Sequence, residues 1–113
     1  MYPSQLEFLK HIQDECLYIL RVTSEKSKES VVEDETLSRA IIRSLEIIGE
    51  ATKKLSDEFR ASYPHVEWRK MAATRDVMIH DYFGIDYDIV WSIITDKLSE
   101  LEHQISTIIK EKE

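Results

Sequence analysis

Glycine and proline are almost missing from this chain of 113 residues, with two of each. Strands joined by tight turns need such residues at their corners, so a turn-rich β protein is excluded. Cysteine occurs once, at Cys16, which rules out an internal disulfide and any zinc site built from cysteines. In its apolar-rich segment Cys16 reads as a small core residue. No run approaches the ~20 apolar residues that cross a bilayer. The N-terminal region lacks a basic stretch followed by an apolar one, so no export signal is expected and the cytoplasm is the expected location. Positive charge is also in short supply: 15 basic residues face 22 acidic ones, a net charge of −7. That disfavours broad binding to nucleic acid, which works by neutralising many phosphates, but not a focused cationic site.

What the chain does contain is apolar residues at 42% and charged residues at 33%, a globular mixture, in a length that suits one domain over residues 1–113. Every long periodic segment reads as helix. From about Ser4 to Arg21, Leu6, Leu9, Ile12, Cys16, Ile19 and Leu20 lie close to one face, behind Ser4 as N-cap. Thr23–Val32 is polar and reads as a flexible connection. A second helix starts near Asp34 and carries Leu37, Ile41, Ser44, Ile48, Ala51 and Leu55 in one stripe. Gly49 sits inside it at a propensity cost of roughly 1 kcal/mol against alanine, which points to close approach of another backbone. A short helix over Asp57–Ser62 stops before Pro64. Another begins near Glu67 and runs toward Tyr82, where Gly84 breaks it. The last starts near Asp86 or Asp88, with Trp91, Ile94, Leu98, Leu101, Ile105 and Ile108 as its stripe. Short connections favour antiparallel neighbours. The expected fold is all-α, an antiparallel up-and-down bundle of four main helices plus one short extra helix.

The chemistry concentrates in Arg75-Asp-Val-Met-Ile-His80-Asp-Tyr82. Arginine keeps its charge at any working pH, histidine exchanges a proton near neutrality, and the tyrosine hydroxyl donates, accepts or is modified. Cleavage of a phosphodiester needs proton transfer and charge stabilisation, which such a trio supplies. At ~100° per residue Arg75 and Tyr82 share a helix face, whereas His80 lies roughly 140° away. The three converge only if the helix ends, tightens or bulges around Ile79–Asp81, or if two copies meet across a two-fold axis. On spacing alone, the plainer reading is a solvated helix end with one ion pair from Arg75 to a nearby acid, worth at most ~1 kcal/mol. Likewise Trp68, Trp91 and Met71 read as core, Gly49-Glu50 as packing plus a surface charge, and Asp76 equally as a solvated acid or a partner orienting Arg75 or His80. His11, His65 and His103 read as surface or boundary residues.

Three segments, Arg43-Ser-Leu-Glu-Ile-Ile-Gly-Glu-Ala51, Trp68 through Tyr82, and Phe83-Gly-Ile-Asp-Tyr-Asp-Ile-Val-Trp91, resemble the HepT-like family of the HEPN superfamily of small helical proteins. The likeness covers nearly the whole chain. The family's motif of Arg, four to six residues, His, one residue and Tyr falls on Arg75, His80 and Tyr82, in its four-residue variant; the polar residue that commonly follows the Arg is Asp76. The resemblance implies a HEPN-like bundle and the toxin of a toxin–antitoxin pair. Such a toxin is a metal-independent endoribonuclease without cofactor, acting as a homodimer with the two motifs facing each other. Arg75 and His80 would be catalytic, Asp76 and Tyr82 supporting. The implied partner besides RNA is a minimal nucleotidyltransferase antitoxin, which silences the toxin by attaching AMP to Tyr82.

Two alternatives stand beside this. One is a non-catalytic helical partner or substrate-binding subunit of a nucleotidyltransferase, which the acidic charge favours and the intact motif opposes. The other is a carboxylate-bridged metal bundle: Glu100 and His103 have the Glu-x-x-His spacing, but such sites use it on two helices and here it occurs once.

Overall fold

Helix α1 (Gln5–Thr23) starts where Ser4 caps it, the serine hydroxyl accepting the Glu7 amide at 3.2 Å. Its Leu9, Ile12, Cys16, Ile19 and Thr23 are buried, the three-and-four spacing of one helical face. At its end the Thr23 hydroxyl donates to the Ile19 carbonyl at 2.7 Å, so the buried hydroxyl keeps a partner. The structure, a computed structural model, describes residues 4–80 and 84–113, with side chains through residue 75 and from 84 onward.

Helix α3 (Glu35–Lys54) is capped by Asp34, whose carboxylate accepts the Leu37 amide at 3.0 Å, and ends in Lys53 and Lys54, matching the negative end of its dipole. It lies centrally, packed on α1 along one side and on α5 (Trp68–His80) along another, while α1 also packs on α7 (Leu98–Lys112). These faces form one apolar cluster in which Leu9, Ile12, Ile19, Ile41, Leu45, Leu98, Ile105 and Ile108 are 1% exposed or less. Each such side chain contributes roughly 1.5–3 kcal/mol of burial. Trp68 and Met71 join that core, as expected, and the Trp68 indole N–H donates to the Tyr63 carbonyl at 2.9 Å. Trp91 is half-buried against it.

The all-helical bundle expected from the periodicity is present, with three differences of detail. Thr23–Val32 is not simply a connection: α2 (Lys28–Glu33) forms within it, capped by Ser27, with Val31 buried and Lys28 paired with Asp88. With α4 (Asp57–Ala61) this makes two short helices rather than one. The last helix is not uniform either. Helix α6 (Tyr87–Ser92), capped by Asp86, passes through a π-helical stretch, Ile93–Lys97, into α7. The Thr95 hydroxyl donates back to the Trp91 carbonyl at 2.9 Å, a bond that competes for a helical acceptor where the turn widens. Among the described residues, no helix is long and apolar enough to cross a membrane.

Candidate functional site

Helices α3 and α5 approach closely where Gly49 of α3 faces Arg75 of α5. A Cβ at Gly49 would lie 2.7 Å from the Arg75 Cβ, 3.0 Å from its backbone N and 3.3 Å from its Cα. No larger residue fits there without moving a helix. The close approach expected from a glycine inside a helical stripe is therefore real, and its counterpart is the motif arginine.

The neighbour of that glycine then reaches the same arginine. Glu50 Oε1 lies 3.5 Å from Arg75 Nε and 3.9 Å from Arg43 Nη1, while Arg43 Nη1 is also 3.3 Å from Glu46 Oε2. Glu50 is thus an anion between two guanidinium groups, one on its own helix and one across the seam. Arg75 Nε is shut off from solvent and makes no aligned hydrogen bond, so its compensation is the charge of Glu50 rather than a directed bond. Both side chains are just under 40% exposed. At that exposure the pair contributes under ~1 kcal/mol to stability, and its larger effect is to fix where the guanidinium points.

An ion pair from Arg75 to an acid is what a plain helix surface would also have; what a plain surface does not have is the glycine that lets α3 and α5 touch beside it. Glu50 was passed over in the sequence as a surface charge. The signal that could have found it is its place next to Gly49, since a residue flanking a close helix contact is held near whatever that contact meets.

The remaining motif positions are placed by backbone only. Asp76 and His80 lie on α5, which stays α-helical through His80. Position 80 is therefore about 7.5 Å along the axis from position 75 and roughly 140° around it, with no tightening or bulge before it to close that angle. The side chains of Asp76 and His80, and Tyr82 altogether, lie outside the described residues.

Other candidates are less built. His11, His65 and His103 are exposed, as expected for surface residues. Glu100 and His103 are exposed too, and among the described residues no three histidine, cysteine or acidic side chains gather into a metal site. The Cys16 thiol is pushed up to about 12 by burial first, then by the charges of Glu102 and Glu15, which makes it inert as a nucleophile. An apolar trough of about 540 Å³, walled by Ile48, Met71, Ile89, Ile93, Leu98 and Leu101, runs along another side of α5.

Comparison with known proteins adds the following. The chain is 43% identical over 105 residues to a "Putative RNase" of Caldanaerobacter subterraneus subsp. tengcongensis, covering 93% of this chain and 94% of that one. It is 41% identical over 106 residues to a "Putative RNase" of Methanocaldococcus jannaschii, covering 94% and 88%. It is 34% identical over 110 residues to a "Probable ribonuclease HepT" of Thermococcus cleftensis, covering 97% and 100%. No solved structure matches. The family model described as "Ribonuclease HepT-like" matches residues 12–108.

Proposed function

Because the chain belongs to the HepT-like ribonuclease family, we propose that it is a metal-independent endoribonuclease and the toxin of a toxin–antitoxin pair, acting in the cytoplasm. The observation that carries the site assignment is Arg75 fixed on the α3–α5 seam by Gly49 and Glu50, on the helix that also bears His80.

In this reading the RNA supplies its own nucleophile. The 2′-hydroxyl attacks the neighbouring phosphorus and gives up its proton to an imidazole. The 5′-oxygen leaves and takes a proton, ending the strand in a 2′,3′-cyclic phosphate and freeing a 5′-hydroxyl. Such proton transfer contributes ~10²–10⁴-fold in rate. Arg75 donates to the phosphate oxygens as charge builds on phosphorus; with its Nε side facing Glu50, the guanidinium is already oriented when substrate arrives. Asp76 assists by orienting one of these groups.

A homodimer suits this chemistry. Positions 75 and 80 stand apart around a regular helix, so a second copy is the simplest way to face one motif with another. The apolar trough beside α5 and the exposed Ile89 offer surface for such a mate to bury. Tyr82 is the proposed control point. Its hydroxyl attacks the α-phosphorus of ATP on the nucleotidyltransferase antitoxin, pyrophosphate leaves, and the attached AMP sets an anion against the cation that RNA needs.

The test is incubation of purified protein with RNA in EDTA. Cleavage is expected for the wild type, and a loss of about 10²-fold or more for His80→Ala and for Arg75→Ala, with the fold retained. A fully active His80→Ala protein overturns the assignment. The net charge of −7 favours a second reading, a non-catalytic partner of a nucleotidyltransferase, and a wild type that binds that partner but leaves RNA intact would establish it.

A further inference from the structure

Arg43, Glu46 and Glu50 follow one another along α3 at spacings of three and four, and so share a face. Arg43 Nη1 stands between the two acids, 3.3 Å from Glu46 Oε2 and 3.9 Å from Glu50 Oε1. The same Oε1 faces Arg75 Nε across the seam at 3.5 Å. One carboxylate oxygen is thus shared by two guanidinium groups on two helices. With as many acids as arginines, this row has no surplus charge with which to draw in RNA. Nor does it hold the fold together: the Arg43 side chain is 61% exposed, and ion pairs on such a surface add little to stability. What the row does set is geometry.

Glu46 and Glu50 are like charges one turn apart, a pairing that is unfavourable on a helix. Unopposed, each carboxylate turns away from the other. For Glu50 that matters, because its oxygen is the one that faces Arg75 Nε. Arg43 lies between the two acids and offsets their repulsion. Glu50 then keeps the Nε side of the Arg75 guanidinium, and the Nη1 and Nη2 edge is the fork that matches two phosphate oxygens. We propose that Arg43 is a positioning residue for RNA cleavage. It acts through Glu50, fixes the orientation of Arg75 and touches no substrate atom. The proposal rests on the ribonuclease reading and extends its site from the motif helix α5 onto the facing side of α3.

The experiment measures kcat and KM for cleavage of one single-stranded RNA in EDTA by wild type, Arg43→Gln, Glu50→Gln and the double variant. Arg43→Gln is expected to lower kcat about tenfold with KM unchanged, short of the about 10²-fold that a 1 Å misplacement at a reacting group can cost. The double variant should be no slower than Glu50→Gln, because a residue that acts through another adds nothing once that other is gone. Arg43→Lys should keep most of the rate, since one nitrogen makes both contacts and its charge is what they use. Arg43→Gln/Glu46→Gln should recover part of the rate lost in Arg43→Gln, because the repulsion on Glu50 leaves with Glu46. A merely structural role for Arg43 would give no such recovery. This charge-balanced pair also keeps the test valid if Arg43→Gln unfolds: a kcat in it as low as that of Glu50→Gln overturns the proposal. Wild type that cleaves, with Arg43→Gln at full kcat and KM, overturns it too and leaves the ribonuclease reading standing. A raised KM at unchanged kcat, with losses that multiply in the double variant, likewise overturns it and places Arg43 on the RNA itself. Wild type that leaves RNA intact removes both readings together.

Discussion

Replacing Gly49 by alanine tests the helix contact on which the site rests. The added methyl carbon would lie 2.7 Å from the Arg75 Cβ, roughly 1 Å inside the 3.5–4.0 Å at which carbons pack best. The atoms it meets are the Cβ, N and Cα of Arg75, none of which can rotate away. So α3 and α5 must part. Overpacking of this kind costs about 1–3 kcal/mol, and the rigid neighbours put it toward the upper end. Against that, alanine gains about 1 kcal/mol over glycine in helix propensity. The net expectation is a loss of about 1–2 kcal/mol, seen as a lower denaturant midpoint at unchanged slope and a Tm lower by roughly 4–10 °C. Cleavage should suffer more than stability does, because a displacement near 1 Å at a reacting group can cost about 10²-fold in rate. The double variant Gly49→Ala/Arg75→Gly removes the nearest clashing carbon and should recover part of the stability, giving a coupling energy of about 1 kcal/mol or more. A Gly49→Ala protein as stable as wild type, with no such coupling, would refute the claim that this seam is rigid and tightly packed.

Three further outcomes follow from other parts of the molecule. Glu50→Gln should change unfolding free energy by less than ~1 kcal/mol, given the exposure of the pair, yet lower kcat for RNA, since Arg75 loses the charge that orients it. Gly84 has φ of +145° with nothing within 4 Å of where a Cβ would stand, so Gly84→Ala should cost about 1–3 kcal/mol in thermal unfolding through backbone strain alone. The Cys16 thiol, raised from 9.0 to about 12, should resist alkylation at pH 8 until the protein unfolds. Its unfolded counterpart ionises first, so this group takes nothing from stability below about pH 9 and lowers it as pH climbs from there toward 12, measurable as a falling denaturant midpoint.

How far the sequence could be read follows from what kind of signal each feature leaves. Helices α1 and α3 were legible because their apolar residues recur every three or four positions behind side chains that cap, Ser4 and Asp34. Helix α2 was not, because a six-residue helix in a polar run buries only Val31 and so leaves no stripe. The π-helical stretch at Ile93–Lys97 was not, because one widened turn shifts the phase of a stripe without erasing it. Gly49 announced a close contact but not with what: periodicity describes one helix at a time, and the pairing of Gly49 with Arg75 belongs to two. Glu50 was missed for that reason.

The same seam also answers the objection that an acidic protein is poorly suited to RNA. Fields in salt water are local: at physiological ionic strength they decay over about 8 Å. Acids of α2 and its flanks, such as Glu25, Glu29 and Glu33, are exposed to solvent and screened. Along the seam, by contrast, Glu50 has Arg43 and Arg75 beside it and Asp57 is held by Arg60, so these two acids are already matched. The total of −7 then opposes long-range attraction and nonspecific coating, while leaving the short-range grip on a phosphate to a few fixed cations. An enzyme built this way would hold RNA weakly overall and tightly only where the strand is threaded past Arg75.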